Sequence, residues 1–306
     1  MTPILFAFPG ADQLAASLCE QVGAQMCTVR WRHFPDGESL LALDGNCRGR
    51  DVVVVCTLRD PDRLALPLLF AARTARELGA RSVGLVAPYL AYMRQDARFH
   101  SGEAIASSHF ASFLSWTFDW LVTVDPHLHR HRDLGALFGI PTEHVTAMPM
   151  IGEWIRANVI DPILIGPDSE SAQWVQPLGF AIHAPVVRLS KRRLGDREVE
   201  VSALPNAQTD GRTPVLVDDI ISSGRTLMDV LTRLRLRARG SAAPICIAVH
   251  GVFAPGAYRE LLAAGAGRVV TTNTIAHSTN AIDVASALAP AIRRQIDNVG
   301  GNIRRR

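Results

Sequence analysis

Residues Pro214–Leu227 have the sequence Pro-Val-Leu-Val-Asp-Asp-Ile-Ile-Ser-Ser-Gly-Arg-Thr-Leu, in which an apolar run ends in two carboxylates and a loop of small residues follows. The short run 214–217 is bounded by turn residues and predicts a buried parallel strand. After the loop, apolar residues recur at helical spacing, at Leu227, Val230, Leu231 and Leu234. The segment therefore predicts a strand, a loop and a helix in succession.

The loop between this strand and this helix has the composition of an anion site. Its backbone N–H groups and hydroxyls can converge at a helix N-terminus, where phosphate binds, and they belong to Ser222, Ser223, Gly224, Arg225 and Thr226. Asp218 and Asp219 come just before it, where carboxylates can accept hydrogen bonds from vicinal sugar hydroxyls. A helix that is merely capped by serine would not require the paired carboxylates. We therefore expect a site for a ribose 5-phosphate group.

Length and composition place the chain among ordinary two-domain proteins. It has 306 residues, of which 48% are hydrophobic, enough for two cores without a disulfide or a structural metal. A formal net charge of +3 suits anionic small molecules and does not indicate a nucleic-acid partner. Five cysteines without a CxxC pair favour free thiols in a reducing cytoplasm. No run of 18 apolar residues is present, so we expect no membrane span.

The order of predicted elements repeats along the chain. In the first half, a strand at 52–55 is followed by a helix over about 64–78 and by strands at 83–86 and 121–124. In the second half, a strand at 215–217 is followed by a helix that ends near residue 238 and by a strand at 245–249. This order predicts a duplicated α/β fold with mainly parallel sheets flanked by helices, in domains 1–145 and 146–306. Loop 58–63 of the first copy, Leu-Arg-Asp-Pro-Asp-Arg, lacks glycine and hydroxyls, so we expect that copy to have lost the sugar-phosphate site.

Several polar segments follow other predicted strands, and each also has an ordinary explanation. Arg94, Gln95 and Asp96 suit phosphate, amide and ribose contacts, but alone they fit a surface turn. Among the alternating histidines after residue 124, His127 is the best candidate for the site, whereas His129 and His131 fit an exposed loop. Asp168 follows a strand, where its carboxylate suits Mg²⁺, although Pro-Asp is also a common turn.

Two further segments carry charge or an aromatic ring outside these strand ends. The run Lys191-Arg-Arg193 suits a mobile lid over a polyphosphate, and equally a solvated loop. Phe34, in the polar turn 32–38, suits stacking on a base or burial in a core. Neither GxxxxGK[ST] nor GxGxxG occurs, so a nucleotide would bind without a P-loop or a Rossmann fingerprint.

Taken in order, these segments resemble the ribose-phosphate pyrophosphokinase family over about residues 30–290. The motifs that carry the resemblance are Phe34–Glu38, Arg94–Asp96, Asp125–His127, Pro167–Asp168, Lys191 with Arg193, and Asp218–Thr226. The resemblance implies two tandem type I phosphoribosyltransferase-like domains. It also implies transfer of the β,γ-diphosphoryl group of ATP to the 1-hydroxyl of ribose 5-phosphate, with release of AMP.

The resemblance also implies a role for each motif. Loop residues 222–226 would hold the 5-phosphate, and Asp218 and Asp219 the ribose hydroxyls. Lys191 and Arg193 would neutralise charge on the transferred group, and His127 and Asp168 would hold Mg²⁺. ATP would be contacted by Arg94, Gln95, Asp96 and His127, with Phe34, Asp36 and Glu38 reaching the adenine bound to a neighbouring subunit. A homo-oligomer follows from such a shared site.

The chain departs from the family pattern at three places, and two alternatives to the diphosphokinase stay open. Many members carry an aspartate and Thr-Gly-Gly-Thr in the loop, where this chain has Ser222 and then Ser223-Gly-Arg-Thr226. Glu170 adds a negative charge near the expected metal, and segment 97–105 resembles the archaeal-type members, which puts an allosteric phosphate and ADP site in doubt. The alternatives are a phosphoribosyltransferase, which would not explain the lid, and a non-catalytic binder of phosphoribosyl ligands.

Overall fold

The computed structural model of the chain describes residues 1–98, 100–128, 133–168, 171–189, 191–193, 199–201, 211–237 and 242–303. The strands are β1 (Ile4–Ala7), β2 (Gln25–His33), β3 (Ser39–Asp44), β4 (Asp51–Val55), β5 (Ser82–Ala87), β6 (Trp120–Val124), β7 (Thr142–Val145), β8 (Pro162–Gly166), β9 (Val186–Arg188), β10 (Lys191–Arg193), β11 (Val199–Val201), β12 (Thr213–Ile221), β13 (Ile245–Gly251), β14 (Arg268–Thr272) and β15 (Asn280–Ile282). The α-helices are α1 (Asp12–Val22), α2 (Pro61–Glu77), α3 (Ala106–Thr117), α4 (Met148–Asn158), α5 (Ala172–Ile182), α6 (Arg225–Arg237), α7 (Ala257–Ala263) and α8 (Ala285–Ile303).

The chain divides into two compact units. The first unit comprises residues 1–146, 274–276 and 284–306, and the second comprises 147–273 and 277–283. The first contains a seven-stranded sheet in the order β3-β2-β1-β4-β5-β6-β7, in which only the β2–β3 pair is antiparallel. All residues of β4, β5 and β6 are buried. Such continuous apolar strands form where helices cover both faces of a parallel sheet.

The second unit contains a six-stranded sheet in the order β15-β14-β13-β12-β8-β9, with every neighbouring pair parallel. Strand β12 includes the predicted strand 214–217 but continues through both aspartates to Ile221. Its pairing with β13 extends the strand, because Ile220 and Ile221 lie opposite His250 and Gly251. A separate antiparallel pair, β10–β11, contains the basic run of the expected lid.

The two sheets have the same connectivity. In the first, the order β2-β1-β4-β5-β6-β7 corresponds strand for strand to the order β9-β8-β12-β13-β14-β15 in the second. In each copy the first strand gains a neighbour on one side before the chain crosses to the other side, where four more strands follow in succession. This correspondence confirms the predicted duplication of an α/β fold with mainly parallel sheets flanked by helices.

The last helix belongs to a different unit from the one the sequence suggested. The division at residues 146 and 147 lies one residue from the predicted boundary, but 284–306 group with the first unit and not with the second. Leu288, Ala291 and Ile292 of α8 are fully buried as the helix packs against α1 and strands β5–β7. In addition, Arg294 and Gln295 both contact the carboxylate of Glu143. The apolar face of α8 thus completes the core of the first unit.

All five cysteines are free thiols, and Cys47, Cys56 and Cys246 are buried. Burial raises the pKa of Cys246 to about 12, so this thiol stays protonated at neutral pH. Within the part of the chain that the structure describes, no helix is long and apolar enough to cross a membrane.

The packing of β5 against β6 gives a test of the first core. Gly84 lies opposite Trp120, and a Cβ at residue 84 would lie 1.9 Å from Trp120 Cε2. Gly84→Ala should therefore lower the free energy of unfolding by about 2–3 kcal/mol, because the buried indole has to move. Urea denaturation followed by circular dichroism measures this change.

The matched control for this substitution is Gly139→Ala. A Cβ at residue 139 meets nothing closer than Ser115 Cβ at 3.8 Å, so the variant should unfold within about 0.5 kcal/mol of the parent protein. Equal stability of the two variants would contradict the packing of Gly84 on Trp120.

Candidate functional site

The carboxylates of the candidate site lie at the carboxyl edge of the second sheet. Asp218 is on β12, opposite Ala248 of β13, and Asp168 comes two residues after the end of β8. Strands β8 and β12 are neighbours, and the connectivity of the sheet changes direction between them. In open α/β sheets, ligands bind at this position because the loops from the two strands diverge and leave a crevice.

Burial and neighbouring charge both act on Asp218. Burial raises the pKa of this carboxyl well above its usual range, and the negative charges of Asp219 and Asp168 raise it further. The backbone N–H of Asp219 donates to Asp218 Oδ1 at 3.0 Å, which favours the ionised form without offsetting the larger effects. Hydroxyl donors or a cation would relieve this concentration of negative charge, so the site is suited to binding either.

Ser171, which the sequence reasoning missed, fixes the turn that contains Asp168. Its backbone N–H donates to Asp168 Oδ1 at 3.0 Å, and its buried hydroxyl donates to the backbone carbonyl of Asp168 at 2.7 Å. The Asp-x-x-Ser spacing is a recognisable signal, because short polar side chains commonly bond to the backbone at this distance along the chain. One oxygen of Asp168 is thus held by the protein at the edge of the sheet.

The predicted phosphate loop lies between β12 and α6. Gly224 has φ +71°, and a Cβ there would lie 3.3 Å from Leu261 Cγ, so glycine satisfies both the left-handed backbone and the close approach of α7. The backbone N–H of Met228 donates to the carbonyl of Gly224 at 2.9 Å, which starts the helix directly after the loop. Ser223 and Arg225 are exposed beside this helix N-terminus. The arrangement leaves the loop open to an anion from solvent.

The segment at Phe253 and Ala254, which the sequence reasoning missed, supports this loop through backbone hydrogen bonds. The backbone N–H groups of Phe253 and Ala254 donate to the carbonyls of Ile221 and Ser222, at 2.9 and 3.0 Å. Phe253 has φ +39° and is buried, with its ring centroid 4.4 Å from that of His277. A bulky residue adopts this backbone region only when its surroundings impose it, so no sequence pattern predicts the support.

Residues Phe34, Asp36 and Glu38 lie in the exposed turn that joins β2 to β3 in the first unit. Two backbone hydrogen bonds hold Phe34 in this turn. Its N–H donates to the carbonyl of Glu38 at 2.7 Å, and its carbonyl accepts from the N–H of Gly37 at 2.9 Å. Its ring is 38% exposed and lies under the guanidinium of Arg32, 4.6 Å from the ring centroid. Phe34 is therefore a surface residue and not part of the core.

The remaining first-unit candidates follow adjacent strands of one sheet. Arg94 and Gln95 are exposed in the turn after β5, together with the half-buried Asp96, and the half-buried His127 follows β6. Because β5 and β6 are parallel neighbours, the two segments leave the sheet at the same edge. The backbone N–H of Gln95 donates to the carbonyl of Tyr92 at 3.0 Å, which fixes the course of the turn.

The structure describes only the backbone of the expected lid. Lys191 and Arg193 occupy alternate positions of β10, opposite Val201 and Val199 of β11. His129, His131 and Glu170 lie outside the described residues. Within the described ranges, no group of three or more His, Cys, Asp or Glu side chains forms a ready metal cluster.

Comparisons with known proteins cover nearly the whole chain. Residues 4–117 match the model of the N-terminal domain of ribose phosphate pyrophosphokinase, and residues 150–286 match that of the phosphoribosyl transferase domain. The ribose-phosphate pyrophosphokinase of Methanobrevibacter smithii is 30% identical over 92% of this chain and 97% of its own length. That of Methanopyrus kandleri is also 30% identical, over 97% of this chain and 100% of its own length. The crystal structure of phosphoribosylpyrophosphate synthetase from Mycobacterium smegmatis has the same fold, with a TM-score of 0.82, 24% identity and coverage of 97% of this chain and 100% of that one.

The charge at Asp218 has a measurable consequence for stability. Because the pKa of its carboxyl is raised in the folded state, ionisation costs folding free energy, and this cost grows as the pH rises above the unfolded-state pKa. Asp218→Asn removes the cost, so the ligand-free variant should be more stable than the parent by about 1 kcal/mol at pH 7 to 8, with a smaller gain at pH 5. Urea denaturation at several pH values, without divalent cations, measures the difference.

Asp229→Asn is the control for this prediction, since Asp229 is an exposed carboxylate of α6. We expect it to leave stability unchanged at every pH. An Asp218→Asn variant that is less stable than the parent at pH 8 would show that the carboxylate is stabilised in the fold.

Proposed function

Since the chain belongs to the ribose-phosphate pyrophosphokinase family, whose members are transferases, we propose that it transfers the β,γ-diphosphoryl group of ATP to the 1-hydroxyl of ribose 5-phosphate and releases AMP. The observation that carries the proposal is the pairing of Asp218 and Asp219 with an open loop at a helix N-terminus. Carboxylates accept from ribose hydroxyls, and the loop receives the 5-phosphate.

In the proposed complex the second unit binds the sugar phosphate from two sides. Backbone N–H groups and hydroxyls of 222–226 would donate to the phosphate, with the helix dipole of α6 and the Arg225 cation favouring its negative charge. Asp218 and Asp219 would accept hydrogen bonds from the ribose hydroxyls. These contacts fix the sugar at both ends, so the 1-hydroxyl is oriented before ATP reacts.

The donors at this edge of the sheet fit Mg²⁺. Asp168 and Asp218 present hard carboxylate oxygens whose mutual repulsion a divalent cation would offset. A cluster of three protein ligands is not required, because Mg²⁺ keeps several waters and binds substrate phosphates as well. We propose Asp168 as a ligand of Mg²⁺ at this edge; the metal-binding role of His127, which belongs to the first unit, stays a prediction. Bound Mg²⁺ would withdraw charge from the phosphate oxygens of ATP.

Charge neutralisation is the role we propose for the basic strand β10. Phosphoryl transfer needs little covalent help from the protein, and its rate depends on positioning and on cations near the developing charge. Lys191 and Arg193 are separated by one residue in a short antiparallel pair, so both can serve one polyphosphate when the segment closes. They are the catalytic residues of the proposal.

For the nucleotide, we propose that Arg94, Gln95, Asp96 and His127 contact ATP. The exposed turn of Phe34, Asp36 and Glu38 would reach the adenine bound to a neighbouring subunit, which makes the active protein a homo-oligomer. The exposed face of Phe34 is free for stacking on a base from outside its own unit.

The products distinguish this proposal from its alternatives. With Mg²⁺, ATP and ribose 5-phosphate, we expect AMP to form only when the sugar phosphate is present, as chromatography of the nucleotides would show. Formation of ADP would contradict diphosphoryl transfer and indicate a simple kinase. Folded protein that binds ribose 5-phosphate without any nucleotide turnover would instead support a non-catalytic binder.

Substitutions in β10 test the proposed lid. Lys191→Ala and Arg193→Ala should each reduce kcat by about 10²–10³-fold, because each removes a cation that acts on the transition state. The Kd for ribose 5-phosphate, measured by calorimetry, should change by less than about threefold, since neither residue is assigned to the sugar.

Arg212→Ala provides the matched loss of a cation. Arg212 pairs with Asp161 at 2.6 Å, next to the amino end of β12 and away from its carboxyl end. We expect this variant to keep its kcat. Unchanged kcat in both β10 variants would remove the lid from the mechanism.

A further inference from the structure

A cavity of about 270 Å³ opens in the first unit, and none of the proposed substrate contacts uses it. We call it the first-unit pocket. Its lining includes Gly10, Trp31, Thr57, Arg59, Asp60 and Arg63. All its lining residues belong to the first unit.

The first-unit pocket lies at the same topological position as the sugar-phosphate site of the second unit. Gly10 follows β1, and Thr57–Asp60 follow β4, and the connectivity of the first sheet changes direction between these two strands. Strands β1 and β4 correspond to β8 and β12 of the second copy. The fold therefore creates a crevice here in both copies, whatever residues line it.

The residues that line the first-unit pocket differ in chemistry from the residues at the equivalent site of the second copy. Where β12 has Asp218 and Asp219, the equivalent positions after β4 hold Cys56 and Thr57. The Thr57 hydroxyl already donates to the carbonyl of Thr274 at 2.6 Å. The paired carboxylates that would recognise a sugar diol are therefore replaced, in agreement with the expected loss of the ribose 5-phosphate site from this copy.

The pocket nevertheless retains strong features for an anion. Arg59 and Arg63 both line the pocket, and the 17-residue helix α2 begins between them at Pro61. Guanidinium groups bind phosphate oxygens by paired, charge-assisted hydrogen bonds, and the positive end of the helix dipole acts in the same direction. Asp60 also lines the pocket and opposes this charge.

The lining also contains apolar surface that suits an organic group. Trp31 lies in the lining, and its indole N–H donates to Ser39 Oγ at 3.2 Å, which holds the ring in place. Leu64 and Ile275 add apolar surface. A free inorganic ion would leave this surface in contact with water, whereas the organic part of a phosphate ester would cover it.

We propose that the first-unit pocket binds a small phosphate monoester, with the phosphoryl group on Arg59 and Arg63 and the organic part against Trp31. The ligand class is that of nucleoside monophosphates, whose base can cover the apolar part of the lining. Binding here is separate from catalysis in the second unit and does not depend on the function proposed above.

Hydrogen exchange measured by mass spectrometry locates the ligand. AMP, as the probe, should slow exchange in a peptide covering 57–64, and inorganic phosphate should do so only at a concentration at least tenfold higher. Ribose 5-phosphate should slow exchange at 222–226, which reports separately on the proposed substrate site. No slowing at 57–64 with AMP would overturn the proposal, and equal potency of inorganic phosphate would overturn the role of Trp31.

Charge substitutions of opposite sign test the recognition of the phosphoryl group. Arg63→Gln should weaken the AMP effect at 57–64 at least tenfold, whereas Asp60→Asn should strengthen it about threefold, because a neutral amide no longer repels the phosphate. Asparagine also tolerates the φ of +58° at this position. If Arg63 and Asp60 had only structural roles, the two substitutions would not change AMP binding in opposite directions.

Arg73→Gln is the matched control, since Arg73 is on the same helix but lies over the ring of Trp116, 4.3 Å from its centroid. We expect it to leave AMP binding at 57–64 unchanged. Equal effects of Arg63→Gln and Arg73→Gln, or weaker binding by Asp60→Asn, would contradict phosphate recognition in the first-unit pocket.

Discussion

The parallel pairing of β8 with β12 is the constraint on which the candidate site depends. Register pairs Leu164 with Val215 and Ile165 with Leu216, so the two strands end at the same edge of the sheet. Asp168 is thereby brought near enough to Asp218 for its negative charge to disfavour ionisation of the Asp218 carboxyl. This repulsion lowers the folding stability of the ligand-free protein. Sugar hydroxyls and a divalent cation would relieve it, which relates the instability of the empty site to its affinity for ligands.

Duplication of the fold gives the two units the same crevice with different chemistry. In the second unit, Asp218 and Asp219 are followed by a glycine loop that α7 and the Phe253 segment hold in place. In the first unit, Cys56 and Thr57 occupy the positions of the two aspartates, and Arg59 and Arg63 lie in the segment that follows. The backbone topology thus sets the position of both candidate sites, and the side chains at the strand ends give the two sites different chemistry.

Features determined by local sequence were predictable. Continuous apolar runs such as 83–86 gave the buried strands, and the spacing of Leu227, Val230 and Leu231 gave helix α6. Features determined by distant packing were not. The position of α8 depends on the apolar faces of α1 and of strands β5–β7, to which its own sequence gives no clue. Likewise, Phe253 supports the loop through backbone hydrogen bonds, which no side-chain pattern encodes.

The central claim, that this chain makes a 1-diphosphate ester of ribose 5-phosphate, is tested most directly by ³¹P NMR of the complete reaction. The account predicts AMP together with two mutually coupled diphosphate resonances, of which one also couples to the anomeric proton of the sugar. Appearance of ADP with a single new phosphate monoester on the sugar would contradict it, because only the terminal phosphoryl group would then have moved.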